Sequence, residues 1–399
     1  MHGSLRVLAV SGSRADWGLL RPVLQAIRAE PGLQLQLAVT GQHLAPGTAG
    51  DVDRLLAADG FTATHRIDMG LTADDSPGAI GGAMGRGLSG MAAALAKSRP
   101  DLMLVLGDRY EILAAVSAAQ VARVPVAHIA GGDITEGAFD DAIRHAITKL
   151  SALHFTTNAE AQGRVIQMGE DPARVFLTGS PGIDAILEVP RLTRAELLAS
   201  VGLSPNRGAD EPDPRRLLLV TLHPATLSSD NERHCAALLS ALEGFADADI
   251  LFTGSNADPG AQALDAMIRA AADRLPHAVF HHSLGSQRYF SALAIADAVI
   301  GNSSSGLYEA PSFGLPTVNI GDRQARRPRA ETVIDCAPEV ETIRTAIGTA
   351  LARGRVADAV NPYGDGQAAQ RITAILAAIT DPAALVRKSF CDIPAALQD

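Results

Sequence analysis

Short apolar runs bounded by Gly, Asp or Pro recur along this chain, each followed by a longer stretch of helical spacing. This alternation is the sequence form of repeated βαβ units and predicts mostly parallel sheets. Strands are expected at Leu5–Val10, Leu35–Val39, Leu102–Leu106, Val126–Ile129, Leu153–Thr156 and Val175–Leu177. A second series is expected at Leu217–Leu222, Ile250–Thr253, Ala278–Phe280, Ala298–Ile300 and Thr317–Ile320. The length of 399 residues exceeds what one hydrophobic core usually supports, so two domains follow. The predicted class is α/β, with two Rossmann-like domains facing a central cleft.

Pro190, Pro205, Pro212 and Pro214 crowd a charged stretch, which places an interdomain crossing at 183–215, with one short helix near Arg194–Ser200. The N-terminal domain is expected at 1–182 and the C-terminal domain at 216–379, including a helix at Gln367–Ile379. The tail, 380–399, with a Pro-broken helical end near Ala383–Phe390, is expected to pack back on the first domain.

A formal net charge of -10 argues against a general nucleic-acid binder, because phosphate backbones demand a basic surface. Cys235, Cys336 and Cys391 lie far apart without metal-ligand spacing, so no disulfide framework or zinc site is indicated, and a cytoplasmic setting is expected. No apolar stretch is long enough to span a bilayer.

In open α/β sheets, binding loops gather at the carboxyl ends of the strands. Ser11-Gly12-Ser13-Arg14 follows the first strand and precedes a helix beginning near Asp16. Small residues there leave backbone N–H groups free for an anion and Arg14 adds a charge, although an ordinary strand-to-helix turn reads the same way. The dinucleotide and P-loop glycine patterns are absent.

Gly107-Asp108-Arg109-Tyr110-Glu111 ends another apolar strand. Asp108 is there either an acid–base group or the N-cap of the next helix, with Glu111 as its capping-box partner. The loop from Gly131 to Asp141 holds Asp133, Glu136, Asp140 and Asp141. Like charges in a cleft push pKa values apart, which suits acid–base chemistry; divalent-metal binding and a solvated acidic loop are the alternatives. Arg144 and Lys149 fit an ion-paired scaffold beside it, and His145 fits a structural role.

In the second half, His223 follows the Leu217–Leu222 strand and should emerge at the crevice, with a capping or core role as the alternative. His281-His282 has no partner at metal-ligand spacing. Gly301-Asn302-Ser303-Ser304-Ser305-Gly306 joins a strand to a helix and is the strongest phosphate signal. Glu309, one turn in, suits the hydroxyls of a ribose or simple dipole compensation. The run from Pro316 to Arg329, with Arg323, Arg326 and Arg327, reads as a substrate clamp or a solvated loop.

Taken together, residues 12–20, Gly107–Glu111, the Gly131-Gly132-Asp133 loop running to Lys149, Leu222-His223-Pro224 and Gly301–Glu309 resemble the hydrolysing UDP-N-acetylglucosamine 2-epimerases, over about residues 5–380. The resemblance implies a glycosyltransferase-B-like fold, no metal and no redox cofactor, and a UDP-sugar substrate. It implies Arg14, His223, Ser303 and Ser304 near the diphosphate, Glu309 on the ribose and Arg323 near sugar or phosphate. Asn256, His282, Ser305 and Gly306 complete the expected substrate contacts. Asp108, Asp133 and Asp140 would be the acid–base carboxylates, with His223 assisting departure of UDP.

Many relatives carry Glu where Asp133 stands, and a related branch hydrolyses UDP-2,4-diacetamido-2,4,6-trideoxyglucose, a bacillosamine derivative. Relatives that keep UDP attached usually have Gly-Asp-Thr, so Gly107-Asp108-Arg109 favours hydrolysis. A glycosyltransferase would replace the acidic loop by an acceptor pocket, and a non-catalytic nucleotide-sugar sensor would lack convergent acid–base groups. A homodimer or higher homo-oligomer is common among similar proteins.

Overall fold

The computed structural model describes residues 4–46, 49–74, 76–135, 139–204, 215–224, 230–255 and 260–392. The chain divides into two compact units, one of 1–187 with 363–399 and one of 188–362.

The first unit carries strands β1 (Leu5–Ser11), β2 (Leu33–Val39), β3 (His65–Arg66), β4 (Leu102–Leu106), β5 (Val126–Ile129), β6 (Leu153–Thr156) and β7 (Val175–Leu177). They form one parallel sheet in the order β3-β2-β1-β4-β5-β6-β7. Continuous apolar runs suit these strands because helices cover both faces. Val7, Leu37, Leu104 and Phe155 enter one buried cluster, and Leu8, Val10, Met103 and Val105 another.

In the second unit β8 (Arg216–Thr221), β9 (Ala248–Thr253), β10 (Ala278–His281), β11 (Ala298–Gly301), β12 (Thr317–Ile320) and β13 (Val333–Cys336) form a parallel sheet. Its order is β10-β9-β8-β11-β12-β13. Both sheets therefore reverse strand order beside their first strand, between β1 and β4 and between β8 and β11. Such a switch point is where loops part to leave room for a ligand. The two units are Rossmann-like, the make-up of the glycosyltransferase-B-like class.

Three expectations change. The helix Ala368–Ala377 belongs with the first unit, not the second: Ala369, Ile372 and Leu376 enter the cluster of Trp17, Leu20 and Leu24 from the helix Arg14–Ala29. Asp184 fixes its start by accepting from the N–H groups of Ala368 and Ala369 at 3.2 and 2.8 Å. The stretch assigned to a crossing holds the expected short helix, at Arg194–Val201 in the second unit, but its start is taken up by a further helix, Pro181–Glu188, which ends at the boundary between the two units. The helical end expected at Ala383–Phe390 is a short 3₁₀ turn, Pro382–Val386, continuing without helix through Phe390.

Candidate active site

In the first unit, β4 is followed by Gly107, whose positive φ of 82° turns the chain so that Asp108 leaves the sheet. The next helix, Tyr110–Ala122, is capped by Arg109 with no side-chain bond, so the capping-box reading of Asp108 and Glu111 does not hold. Glu111 instead accepts from Arg109 Nε at 2.5 Å and lies under the β1 loop. A Cβ on Gly12 would sit 2.8 Å from Glu111 Cγ.

That β1 loop also differs from expectation. The helix starts at Arg14, capped by Ser13, and the Gly12 N–H is already donated to Asp16 Oδ2 at 3.1 Å. Burial raises the Asp16 carboxyl above its usual range. Arg14 is exposed, and its charge, after burial, helps lower the His43 imidazole to about 4.

Beyond β5, Ala130 adopts a left-handed φ of 65°, uncommon for a residue with a side chain. The loop then closes on the following segments, because a Cβ on Gly132 would stand 2.3 Å from the Ala161 carbonyl. Asp133 Oδ1 accepts from Thr157 Oγ1 at 2.7 Å and from Asn158 Nδ2 at 3.1 Å, both just past β6. Burial raises the Asp133 carboxyl despite those donors and the charge of Arg144.

Asp140 opens the helix Phe139–Leu150. Its carboxyl is raised first by burial and then by the charge of Asp108. Desolvation thus leads like-charge repulsion at Asp140 and is the raising cause at Asp133, whereas the sequence argument rested on repulsion. Glu136 lies outside the described residues.

Arg144 organises this half. Its buried guanidinium donates to Asp108 Oδ2, to the Asp133 carbonyl at 2.7 Å, to Thr135 Oγ1 at 3.0 Å and to Asp141 Oδ1 at 3.2 Å. Asp141 also accepts from the Thr135 N–H at 2.7 Å, so it braces the loop. An ion-paired role for Arg144 was readable; its span over Asp108 and the Asp133 loop was not. Thr157 and Asn158 carry no sequence signal linking them to Asp133.

In the second unit, the β11 end meets the β8 end. Gly301 has φ 137°, and a Cβ there would lie 1.8 Å from the Thr221 carbonyl, so only glycine fits. The buried Asn302 side chain holds the main chain of buried His223. Its own carbonyl accepts from Arg323 Nη1 at 3.3 Å and Gln324 Nε2 at 2.9 Å. His223, Asn302 and Arg323 are thereby brought together.

The helix after this loop is only Ser305–Tyr308. Ser303 Oγ accepts from the Ser305 N–H at 3.4 Å, and Ser304 precedes the helix without a side-chain cap bond. Ser305 Oγ donates to Glu309 Oε2 and accepts from Tyr289 Oη at 2.5 Å. Glu309 is raised by burial against that bond. Tyr289 was missed, since nothing local marks it as a partner of Ser305. Gly306 is small because a Cβ would meet Thr317 Cγ2 at 2.6 Å.

His282, past β10, is largely exposed and pairs with Asp265 Oδ2 at 3.1 Å, while Asp265 Oδ1 accepts from the Ser255 N–H at 2.9 Å. Asn256 lies outside the described residues. Among the described residues, no group of three or more His, Cys, Asp or Glu is placed to hold a metal ion, and no helix is long and apolar enough to cross a membrane.

The family described as UDP-N-acetylglucosamine 2-epimerase matches residues 25–377. A GDP/UDP-N,N'-diacetylbacillosamine 2-epimerase (hydrolyzing) of Campylobacter jejuni is 35% identical over 335 residues, 83% of this chain and 84% of that protein. The UDP-N,N'-diacetylbacillosamine 2-epimerase (hydrolyzing) of Legionella pneumophila is 32% identical over 376 residues, 94% and 96% of the two chains. The structure of UDP-GlcNAc 2-epimerase from Neisseria meningitidis, bound to UDP-GlcNAc, is similar in fold, with a TM-score of 0.71 at 19% identity, covering 93% of this chain and 99% of that one.

Proposed function

The chain belongs to the UDP-N-acetylglucosamine 2-epimerase family, and from that premise we propose that it converts UDP-N-acetylglucosamine and water to N-acetylmannosamine and UDP. It is an enzyme, a hydrolysing UDP-sugar 2-epimerase like its relatives. The sensor reading falls with that membership.

The proton on C2 is poorly acidic, so its removal needs a positioned carboxylate while charge on departing UDP is stabilised. Loss of that proton with cleavage of the C1–oxygen bond gives a glycal and UDP. Water then adds, its hydroxyl to C1 and a proton to C2 from the opposite face. Asp108, Asp133 and Asp140 serve as the acid–base carboxylates. Arg14, Asn256, His282, Ser303, Ser304, Ser305, Gly306 and Arg323 contact the UDP-sugar, Glu309 takes the ribose, and His223 assists departure of UDP. The observation that carries this reading is the Arg144-centred cluster, in which Asp108 is held and Asp140 feels its charge. A carboxyl raised by burial and by a neighbouring negative charge holds its proton more readily, which is the direction an acid in a paired-carboxylate site needs.

A second reading concerns the sugar alone. Relatives at 35% and 32% identity act on diacetylbacillosamine nucleotides, which favours UDP-2,4-diacetamido-2,4,6-trideoxyglucose as substrate. The enzyme works in the cytoplasm as a homodimer or higher homo-oligomer, without a metal or redox cofactor. Incubation with each UDP-sugar, followed by NMR, decides the substrate. Release of neither UDP nor an inverted sugar would defeat the proposal.

A further inference from the structure

The helix Phe139–Leu150 presents Asp140, Asp141 and Arg144 near its start, and its far end is gripped by the C-terminal segment. At 1.5 Å per residue the helix is about 18 Å long, so the grip lies well away from the carboxylates. Lys388 Nζ donates to the Lys149 carbonyl at 2.7 Å and to the Ser151 carbonyl at 2.5 Å. Carbonyls at a helix C-terminus lack intrahelical partners and carry partial negative charge, so a cation is favoured there.

The same ammonium pairs with Glu170 Oε2 at 2.7 Å. Glu170 is buried and also accepts from Lys149 Nζ at 2.7 Å and His154 Nε2 at 2.9 Å. Two main-chain attachments flank the grip: the Cys391 N–H donates to the Gly169 carbonyl at 3.0 Å, and Arg174 Nη1 donates to the Arg387 carbonyl at 3.1 Å.

The gripped end connects to the acidic cluster through short contacts. Thr148, beside Lys149, donates to the Arg144 carbonyl at 3.0 Å and meets His128 Nδ1 at 3.2 Å. A Cβ on Gly131, in the acidic loop, would lie 2.8 Å from Thr148 Oγ1. A shift of this helix therefore presses on that loop and carries Arg144 away from Asp108.

We infer that Lys388 is a positioning residue for the reaction: by bridging Glu170 and the last carbonyls of the helix Phe139–Leu150, it fixes where Arg144 holds Asp108. The inference rests on the proposed role of Asp108. Lys388 touches no reacting atom in this scheme. A misplacement of about 1 Å in a catalytic group can cost about a hundredfold in rate, so a distant anchor can govern turnover.

The test compares full-length wild type, Lys388→Met and Lys388→Arg on whichever UDP-sugar the wild type turns over. If the wild type releases no UDP, the proposed function itself fails, which separates that failure from this one. Lys388→Met is expected to lose roughly tenfold to a hundredfold in kcat with KM nearly kept, the mark of a lost transition-state arrangement. Lys388→Arg should recover most of that loss, because the side chain borders a cavity of about 360 Å³ with room for the larger cation. Hydrogen exchange should quicken in residues 139–150 of Lys388→Met while the helix Val340–Arg353 of the second unit is unchanged. Wild-type kcat in folded Lys388→Met, or a raised KM with kcat kept, overturns the inference. If that variant does not fold, Glu170→Gln is read by the same criteria.

Discussion

His223 and Asn302 are joined by two reciprocal hydrogen bonds: the His223 N–H donates to Asn302 Oδ1 at 2.7 Å, and Asn302 Nδ2 donates to the His223 carbonyl at 2.8 Å. One amide thus fixes the β8 loop on the β11 loop at the switch point of the second sheet. Asn302→Ala removes donor and acceptor together from two buried backbone groups. Stability should fall by about 2–4 kcal/mol in chemical denaturation. UDP affinity should weaken in the fraction that remains folded. A variant as stable as wild type would show that this pairing does not hold the loops.

Asp108→Asn and Asp133→Asn should slow turnover by roughly a hundredfold to ten-thousandfold, the range for a lost acid or base. UDP affinity should be nearly kept. Ser304→Ala and Glu309→Ala should do the reverse, weakening UDP binding more than chemistry, because their contacts precede the reaction. Since Asp108 is not the helix cap, its variant loses no cap. It keeps an acceptor for Arg144 and should be destabilised by no more than about 3 kcal/mol. Calorimetric titration with UDP beside steady-state rates reads both effects. If Asp108→Asn and Asp133→Asn turn over like wild type, the acid–base assignment is wrong.

The central strands were legible because burial on both faces leaves continuous apolar runs; Val126–Ile129, Leu153–Thr156 and Thr317–Ile320 stand where expected. The outer strands His65–Arg66 and Val333–Cys336 were missed, since strands at a sheet edge bury less and need no such run. Helical spacing revealed the helix near 368–377, but an amphipathic period does not say which sheet the apolar side covers. In the site, strand-end loops were legible through their glycines and polar bursts. The grip of Arg144 on Asp108, across 36 positions, and of Thr157 on Asp133, across 24, depends on sheet order, which no local pattern encodes.

Two glycines with positive φ should respond differently to alanine. At Gly301 the added Cβ would stand 1.8 Å from the Thr221 carbonyl, an overlap that backbone must move to relieve. Gly301→Ala should therefore lose more than about 4 kcal/mol or fail to fold. At Gly107 the Cβ would meet nothing within 4 Å, leaving only the conformational penalty of φ 82°. That penalty is about 1–2 kcal/mol. Thermal melts of the two variants give the ordering, and equal losses would contradict it.

Acid should destabilise the fold partly through two buried histidines. His43 is lowered from 6.5 to about 4 by burial and then by the Arg14 charge. His128 is lowered to about 3 by burial, against its bond to the Gly107 carbonyl. The unfolded chain protonates each below 6.5, whereas the folded chain resists until the lower value. Their contribution is therefore full above pH 6.5 and lost as pH falls, at up to about 1.4 kcal/mol per pH unit for each histidine. Several carboxyls act in the opposite sense: Asp133, Glu309 and Asp184 are raised by burial, so the folded state binds their protons more readily. Comparing wild type with His43→Gln cancels those carboxyls, because both proteins retain them, while the amide can still bond Ser11 Oγ, now 2.8 Å from His43 Nε2. Between pH 7 and pH 5 the unfolding free energy of His43→Gln should fall less steeply than that of wild type. Equal slopes would mean that His43 takes up its proton as readily in the folded chain as in the unfolded one.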